Sequence, residues 1–213
     1  MLAPPIEPAT TPESHVAIRP FHDDVVIIQG ATWDDYQRHL ALRGDGATPR
    51  LTYLRGRLQL MAPSPEHETI KSSIGRLVEV YCDHHGIEYT TFGSWTIARK
   101  DLERGAEPDE CYVFGPARKA TVPDLAIEVV WSSGGVDKLD VYRLLGVREV
   151  WYWVRGVITP YVLVGEKYEA RTTSDVLAGI ELELLARFID APTTSAARRG
   201  YREALSGRPS GAT

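Results

Sequence analysis

Apolar and polar positions along the chain switch between two periods, and the switches mark the elements. Residues LTYLRGRLQLMA (51–62) alternate about Arg55-Gly56, the pattern of a β-hairpin. Thr32 before WDDYQRHLALRG supplies a helix N-cap with acids in the first turn, and Gly44 stops the helix. Pro65 opens a longer helix through HETIKSSIGRLVEVYCDHHG, with Ile70, Ile74, Leu77, Val78 and Tyr81 on one face and Gly86 at its end. Strand patterns follow in IEYTTFGSWTIAR, ECYVFG and DLAIEVVW. A short helix spans Asp137 to Leu145 and ends at Gly146; REVWYWV, GVITPYVLV and KYEARTT are further strands. Leu177, Ile180, Leu182, Leu184, Leu185 and Phe188 complete the core. The order predicts an α/β (α+β) domain, with helices flanking a mixed sheet and strand–helix–strand at its centre.

The ends break this pattern. Residues 1–20 carry five prolines and little apolar periodicity, and read as a flexible leader to a domain over 21–190. Residues 191–213 are small and polar, with four arginines against Glu203, and read as a basic, disordered tail.

Composition narrows the function classes. The chain has 213 residues, enough for one domain with a real core, and a net charge of −5, which argues against a protein that coats nucleic acid. A local basic groove remains compatible, with Arg99, Lys100, Arg104, Arg118 and Lys119 as its candidates and Arg55 and Arg57 beside them. No apolar run is long enough to span a bilayer, and no secretory signal is recognisable. The two cysteines, Cys82 and Cys111, fit a reducing cytoplasm. Gly-rich phosphate loops, GxSxG elbows and HExxH motifs do not occur.

Candidate chemistry concentrates in 107–153. Glu128 interrupts LAIEVVW, a run apolar enough to be covered on both faces, and a carboxylate there must be paired, protonated or bound to a metal. An arginine salt bridge is one answer. Asp124, four residues earlier, lies on the same strand face, and Asp109 begins the preceding strand in EPDECYV. Carboxylates converging across adjacent strands suit a hard divalent cation, Mg²⁺ or Mn²⁺. Lys138, in the first turn of the helix after SSGGVD, can reach back to them and act on a water or a phosphate.

Taken together, VPDLAIEVVWSSGGVDKLDVYRLLGVREVWYWV, LTYLRGRLQLMAPSPEHE and EPDECYV resemble the Uma2 family, within the PD-(D/E)XK nuclease-like superfamily. The resemblance covers roughly residues 30 to 190. It implies a restriction-endonuclease-like mixed central β-sheet flanked by helices, and Mg²⁺-dependent cleavage of DNA phosphodiesters. On this alignment Asp109 is the motif Asp and Glu128 its acidic partner, and Asp124 assists as a ligand. Val130 stands in the place of the motif lysine, and Lys138 matches the family's relocated lysine. His67 matches a recurrent histidine, with Glu66 and Glu79 as further candidates on the same helix; a cap role for His67 is equally compatible. The rival reading is a catalytically inactive nuclease-fold module that binds nucleic acid or a protein. A homodimer is expected if both strands of a duplex are cut. Trp151 and Trp153 share a strand face, which is either core or a subunit interface.

Overall fold

The computed structural model describes residues 22–93, 95–117, 120–131 and 135–207. The expected leader and the last six residues lie outside the described residues, as do Arg118 and Lys119. Two sheets form. The first orders its strands β1 (Asp24–Gln29), β3 (Arg57–Ala62), β2 (Arg50–Leu54), β6 (Arg104–Ala106) and β5 (Ile97–Arg99), all antiparallel. The second is mixed, in the order β11 (Lys167–Ala170), β10 (Val157–Val164), β9 (Glu149–Val154), β8 (Leu125–Val129), β7 (Glu110–Phe114) and β4 (Tyr89–Thr91). Its single parallel pair, β8 with β9, is joined through helix α3 (Lys138–Leu145).

The helices follow their caps. Helix α1 (Trp33–Arg43) starts at Thr32, whose hydroxyl accepts from Asp35 N–H while the Asp35 carboxylate accepts from Thr32 N–H. Helix α2 (Pro65–His85) starts at Ser64 and stops at Gly86 in the left-handed region. The hairpin turns on Arg55 and Gly56, both at positive φ, as a tight two-residue turn requires.

Alternation along β8 divides the core. Leu125, Ile127 and Val129 pack with Ile74, Leu77, Val78 and Tyr81 of α2 and with residues of α4 (Leu182–Ala186) and α5 (Thr194–Ser206). Ala126, on the other face, packs with Val141, Tyr142 and Leu145 of α3, which are in turn covered by Ile97 and Ala106 of the first sheet. Helix α1 closes the far side of that sheet over Leu51, Tyr53 and Leu58. Helix α3 is thus sandwiched between two sheets, and the residues of its first turn sit where the sheets meet.

Four expectations need correction or division. The mixed central sheet is present, but the hairpin belongs to a separate antiparallel sheet. IEYTTFGSWTIAR is not one strand: β4 and β5 lie in different sheets, with Gly93 at positive φ between them. The residues read as a disordered tail form α5 over 194–206. Thr193 caps it, and Ala197 and Tyr201, one turn apart, are buried against α2 and Phe188. Arginines on its outer positions hid that stripe. Arg104 is no groove residue: it is fully buried, and its Nη1 donates to the Asp140 backbone oxygen and carboxylate at 2.7 Å each. Trp151 and Trp153 are core residues, 0% and 5% exposed. Among the described residues no helix is long and apolar enough to cross a membrane.

The Arg104–Asp140 pair ties α3 to β6. Burial raises the Asp140 carboxyl, but hydrogen bonds from Arg104 and Arg143 outweigh it and hold the group below the usual 3.8. A carboxylate depressed by folding stabilises above its unfolded pKa and loses that contribution as pH falls through the folded value. Asp140→Ala is expected to cost about 3 kcal/mol at pH 7, because it strands a buried guanidinium. Urea titrations at pH 7 and pH 3 check this: the gap between wild type and variant narrows at the lower pH.

Candidate functional site

Buried carboxylates in this protein fall into two kinds. Glu107 accepts from Arg43 Nη1, Leu51 N–H and Thr96 Oγ1, and Glu149 accepts from Trp151 Nε1 and the Asp175 and Val176 N–H groups. Each is enclosed by protein donors. Glu128 is different. Its side chain is 1% exposed, yet it helps to line a cleft of about 260 Å³ together with Asp23, Gln59, Lys138 and Tyr152.

The sequence folds to place Glu128 there. Its strand alternation turns it toward α3, and the Asp137 side chain caps α3 by accepting from Asp140 N–H at 3.1 Å, which fixes Lys138 as the first helical residue. A lysine at a helix N-terminus faces the unfavourable end of the dipole. Here its Nζ donates to Glu128 Oε2 at 2.5 Å, and Tyr142, one turn on, donates from its hydroxyl to Oε1 at 2.5 Å. Burial, followed by the Glu128 charge, pushes the Tyr142 phenol well above its ordinary range, so it stays a donor. The loop before α3 is pinned from the first sheet: Gln59 Oε1 accepts from Val136 N–H at 2.8 Å.

Asp109 stands just before β7. Glu110 pairs with Ile127, so the Asp109 backbone runs beside that of Glu128. Its carboxylate is fully buried: Oδ2 accepts from Val129 N–H at 2.7 Å and faces His67 Nε2 at 2.9 Å, while Oδ1 is ion-paired with Arg50. His67 Nδ1 meets Asp23 Oδ2 at 2.8 Å, and Asp23 also accepts from Ser64 N–H. Burial raises the Asp23 carboxyl, yet the bonds from His67 and Ser64 prevail and hold it below the usual value. A continuous chain therefore runs from the cleft wall at Asp23 through His67 to Asp109 and Arg50.

The other sequence candidates lie elsewhere. Asp124 shares the strand parity of Glu128 but precedes the opposite end of β8, about 13 Å away at strand rise. There it accepts from Phe114 N–H at 3.0 Å and faces Arg148. Glu79 lies twelve residues beyond His67 on α2, about 18 Å along the axis, and pairs with Arg76. Glu66 is a first-turn acid of α2, half-buried, and does not line the cleft. Sequence reasoning missed Asp23, Arg50, Tyr142 and Gln59. Tyr142 and Gln59 had a signal: a tyrosine one turn after Lys138, and a glutamine on the inward side of a hairpin strand. Asp23 and Arg50 had none, because their partners are distant in the chain.

The sequence profile of Uma2, described as "Putative restriction endonuclease", matches residues 33–191. The chain belongs to the Uma2 family. Among solved structures it is similar to a putative nuclease belonging to DUF820 from Anabaena variabilis, at 16% identity and a TM-score of 0.49, over 70% of this chain and 96% of that one. No curated protein matches it.

Nuclease families imply a divalent cation, and the donor chemistry here suits one. Glu128 and Asp109 offer only hard oxygens, and Mg²⁺ commonly takes one or two carboxylates with water and substrate phosphate filling the rest. Among the described residues no three His, Cys, Asp or Glu side chains are arranged to hold a metal.

The Glu128 assembly also predicts stability. Lys138→Met leaves a buried carboxylate with one donor, and is expected to cost about 3 kcal/mol at pH 7. Tyr142→Phe removes one charge-assisted bond and is expected to cost about 2 kcal/mol. Denaturant midpoints at fixed slope are the measurement for both.

Proposed function

We propose that this protein is a Mg²⁺- or Mn²⁺-dependent endonuclease that hydrolyses DNA phosphodiesters. One observation carries the reading: the buried Glu128 carboxylate opens to a cleft and is held by Lys138. Family membership supports it, and so does the chemistry of Asp109 beside Glu128. Glu128 and Asp109 would hold the cation, and a divalent ion bound there supplies Lewis-acid polarisation of a phosphate and a more acidic water.

The chain's own groups do the rest. The Lys138 side chain, 12% exposed, lines the cleft, and its Nζ neutralises charge on a phosphate oxygen while orienting the attacking water. Tyr142 fixes the second oxygen of Glu128, so the carboxylate cannot rotate away. Val129 N–H and His67 fix Asp109 in the same sense. Attack in line with the leaving 3′-oxygen inverts the phosphorus centre.

A second reading has an observation of its own. Arg50 already compensates the Asp109 charge and His67 contacts its other oxygen, which a nuclease-fold binding module without activity would also need. Cleavage assays separate the two. Supercoiled plasmid and a short duplex, each with Mg²⁺, Mn²⁺ or EDTA, are expected to be cut by the wild type only with metal. Glu128→Gln and Asp109→Asn, folded by circular dichroism, are expected to fall to the EDTA level. DNA binding without cutting in any metal selects the inactive module instead.

A further inference from the structure

Gln59 is a buried polar residue with one end unexplained. It sits in β3, 7% exposed, and forms part of the cleft wall with Glu128 and Lys138. Its Oε1 accepts from Val136 N–H, and this settles the amide's orientation, since only the oxygen of a carboxamide can accept. Gly135 closes the same side: a Cβ there would stand 2.7 Å from Oε1 but 3.9 Å from Nε2. The NH₂ group is therefore turned away from the loop. It has no protein acceptor among the described residues, and it is not sealed from solvent as the fully buried unpaired atoms are.

A donor of this kind, held in place at the wall of a cleft by the bond its oxygen makes to Val136 N–H and without a protein acceptor among the described residues, is open to a ligand in the cleft. We propose that Gln59 is a substrate-binding residue of this site, with Nε2 donating to a non-bridging oxygen of a nucleic-acid phosphate. The proposal rests on the phosphodiester reading of the cleft. Reading adenine would need both amide atoms for a bidentate contact, and Oε1 is already engaged. A phosphate oxygen needs only the donor, and its charge strengthens the bond. Gln59 thus grips the backbone irrespective of sequence, while its other end holds the loop that carries Lys138.

The test is a salt series of dissociation constants, measured by anisotropy with two labelled DNA duplexes of unrelated sequence and Ca²⁺ as the divalent ion. Gln59→Met is expected to weaken both duplexes equally, by about ten- to a hundredfold. A neutral donor releases no counterion, so its plot of log Kd against log salt stays parallel to the wild type's. Lys138→Gln, by contrast, is expected to lower the slope by about one. Gln59→Glu keeps an oxygen for Val136 N–H and puts an acceptor where the donor was. It weakens binding further, and it preserves the test if the methionine variant folds poorly. Wild-type affinity in both Gln59 variants overturns the contact. A slope that falls in Gln59→Met as in Lys138→Gln overturns it too, and leaves a residue that acts only through the loop. Unequal losses for the two sequences overturn the phosphate assignment. No binding of either duplex by the wild type refutes the phosphodiester reading itself, a result distinct from the other three.

Discussion

One buried negative charge sets the terms for the rest of the site. Glu128 lies in the central strand of the second sheet, between apolar neighbours, where an unpaired carboxylate would cost several kcal/mol. The fold answers with two donors from one helix, an ammonium at its first position and a phenol one turn later. Bringing them there requires α3 to start directly over the end of β8. The cap at Asp137, the Gln59 tether on Val136 and the Arg104–Asp140 pair each fix that start from a different direction. The first sheet, through Gln59 and Ala106, is the other wall of this arrangement.

The cost of keeping Glu128 charged separates it from its buried neighbours. Glu107 and Glu149 are satisfied by backbone N–H groups and fixed side chains, and they tie loops and α1 to the sheets. Glu128 is satisfied instead by a flexible lysine at the edge of a cleft, a partner that can be shared with a ligand. Asp109 takes an intermediate form: it is locked by Val129 N–H, His67 and Arg50, lies across the strand from Glu128, and is linked to the cleft wall through the chain that ends at Asp23. Rigid first partners of this kind preserve geometry at the expense of stability.

Local chemistry was legible in the sequence where a residue's role is decided by its near neighbours. The hairpin at Arg55-Gly56, the cap at Thr32, the helix start at Pro65, the stop at Gly86 and the placement of Lys138 ten residues after Glu128 all depend on short-range rules. The pairing of Glu128 with Lys138 followed from that spacing. Asp124 shows the limit: parity along a strand was read correctly, but parity fixes a face and not a position along it, so its carboxylate ended beyond reach. Arg50, Asp23 and His67 meet only because the first sheet folds against the N-terminus of α2, a tertiary fact with no local signature. In α5 the stripe of Ala197 and Tyr201 is narrow, with small residues and arginines around it. Composition therefore outweighed a real one-face periodicity, and Gly200, whose Cβ would lie 2.8 Å from Phe188, permits the close approach that buries it.

The central claim is that Glu128 and Asp109 form one cation-binding pair despite their present protein partners. Calorimetric titration of Mn²⁺ into the wild type, Glu128→Gln and Asp109→Asn tests it most directly, since it reads the ion without needing a substrate. The account predicts a saturable heat in the wild type that disappears in both variants while their circular dichroism is unchanged. No saturable heat in the wild type, with or without DNA, or heat undiminished in the variants, would contradict it.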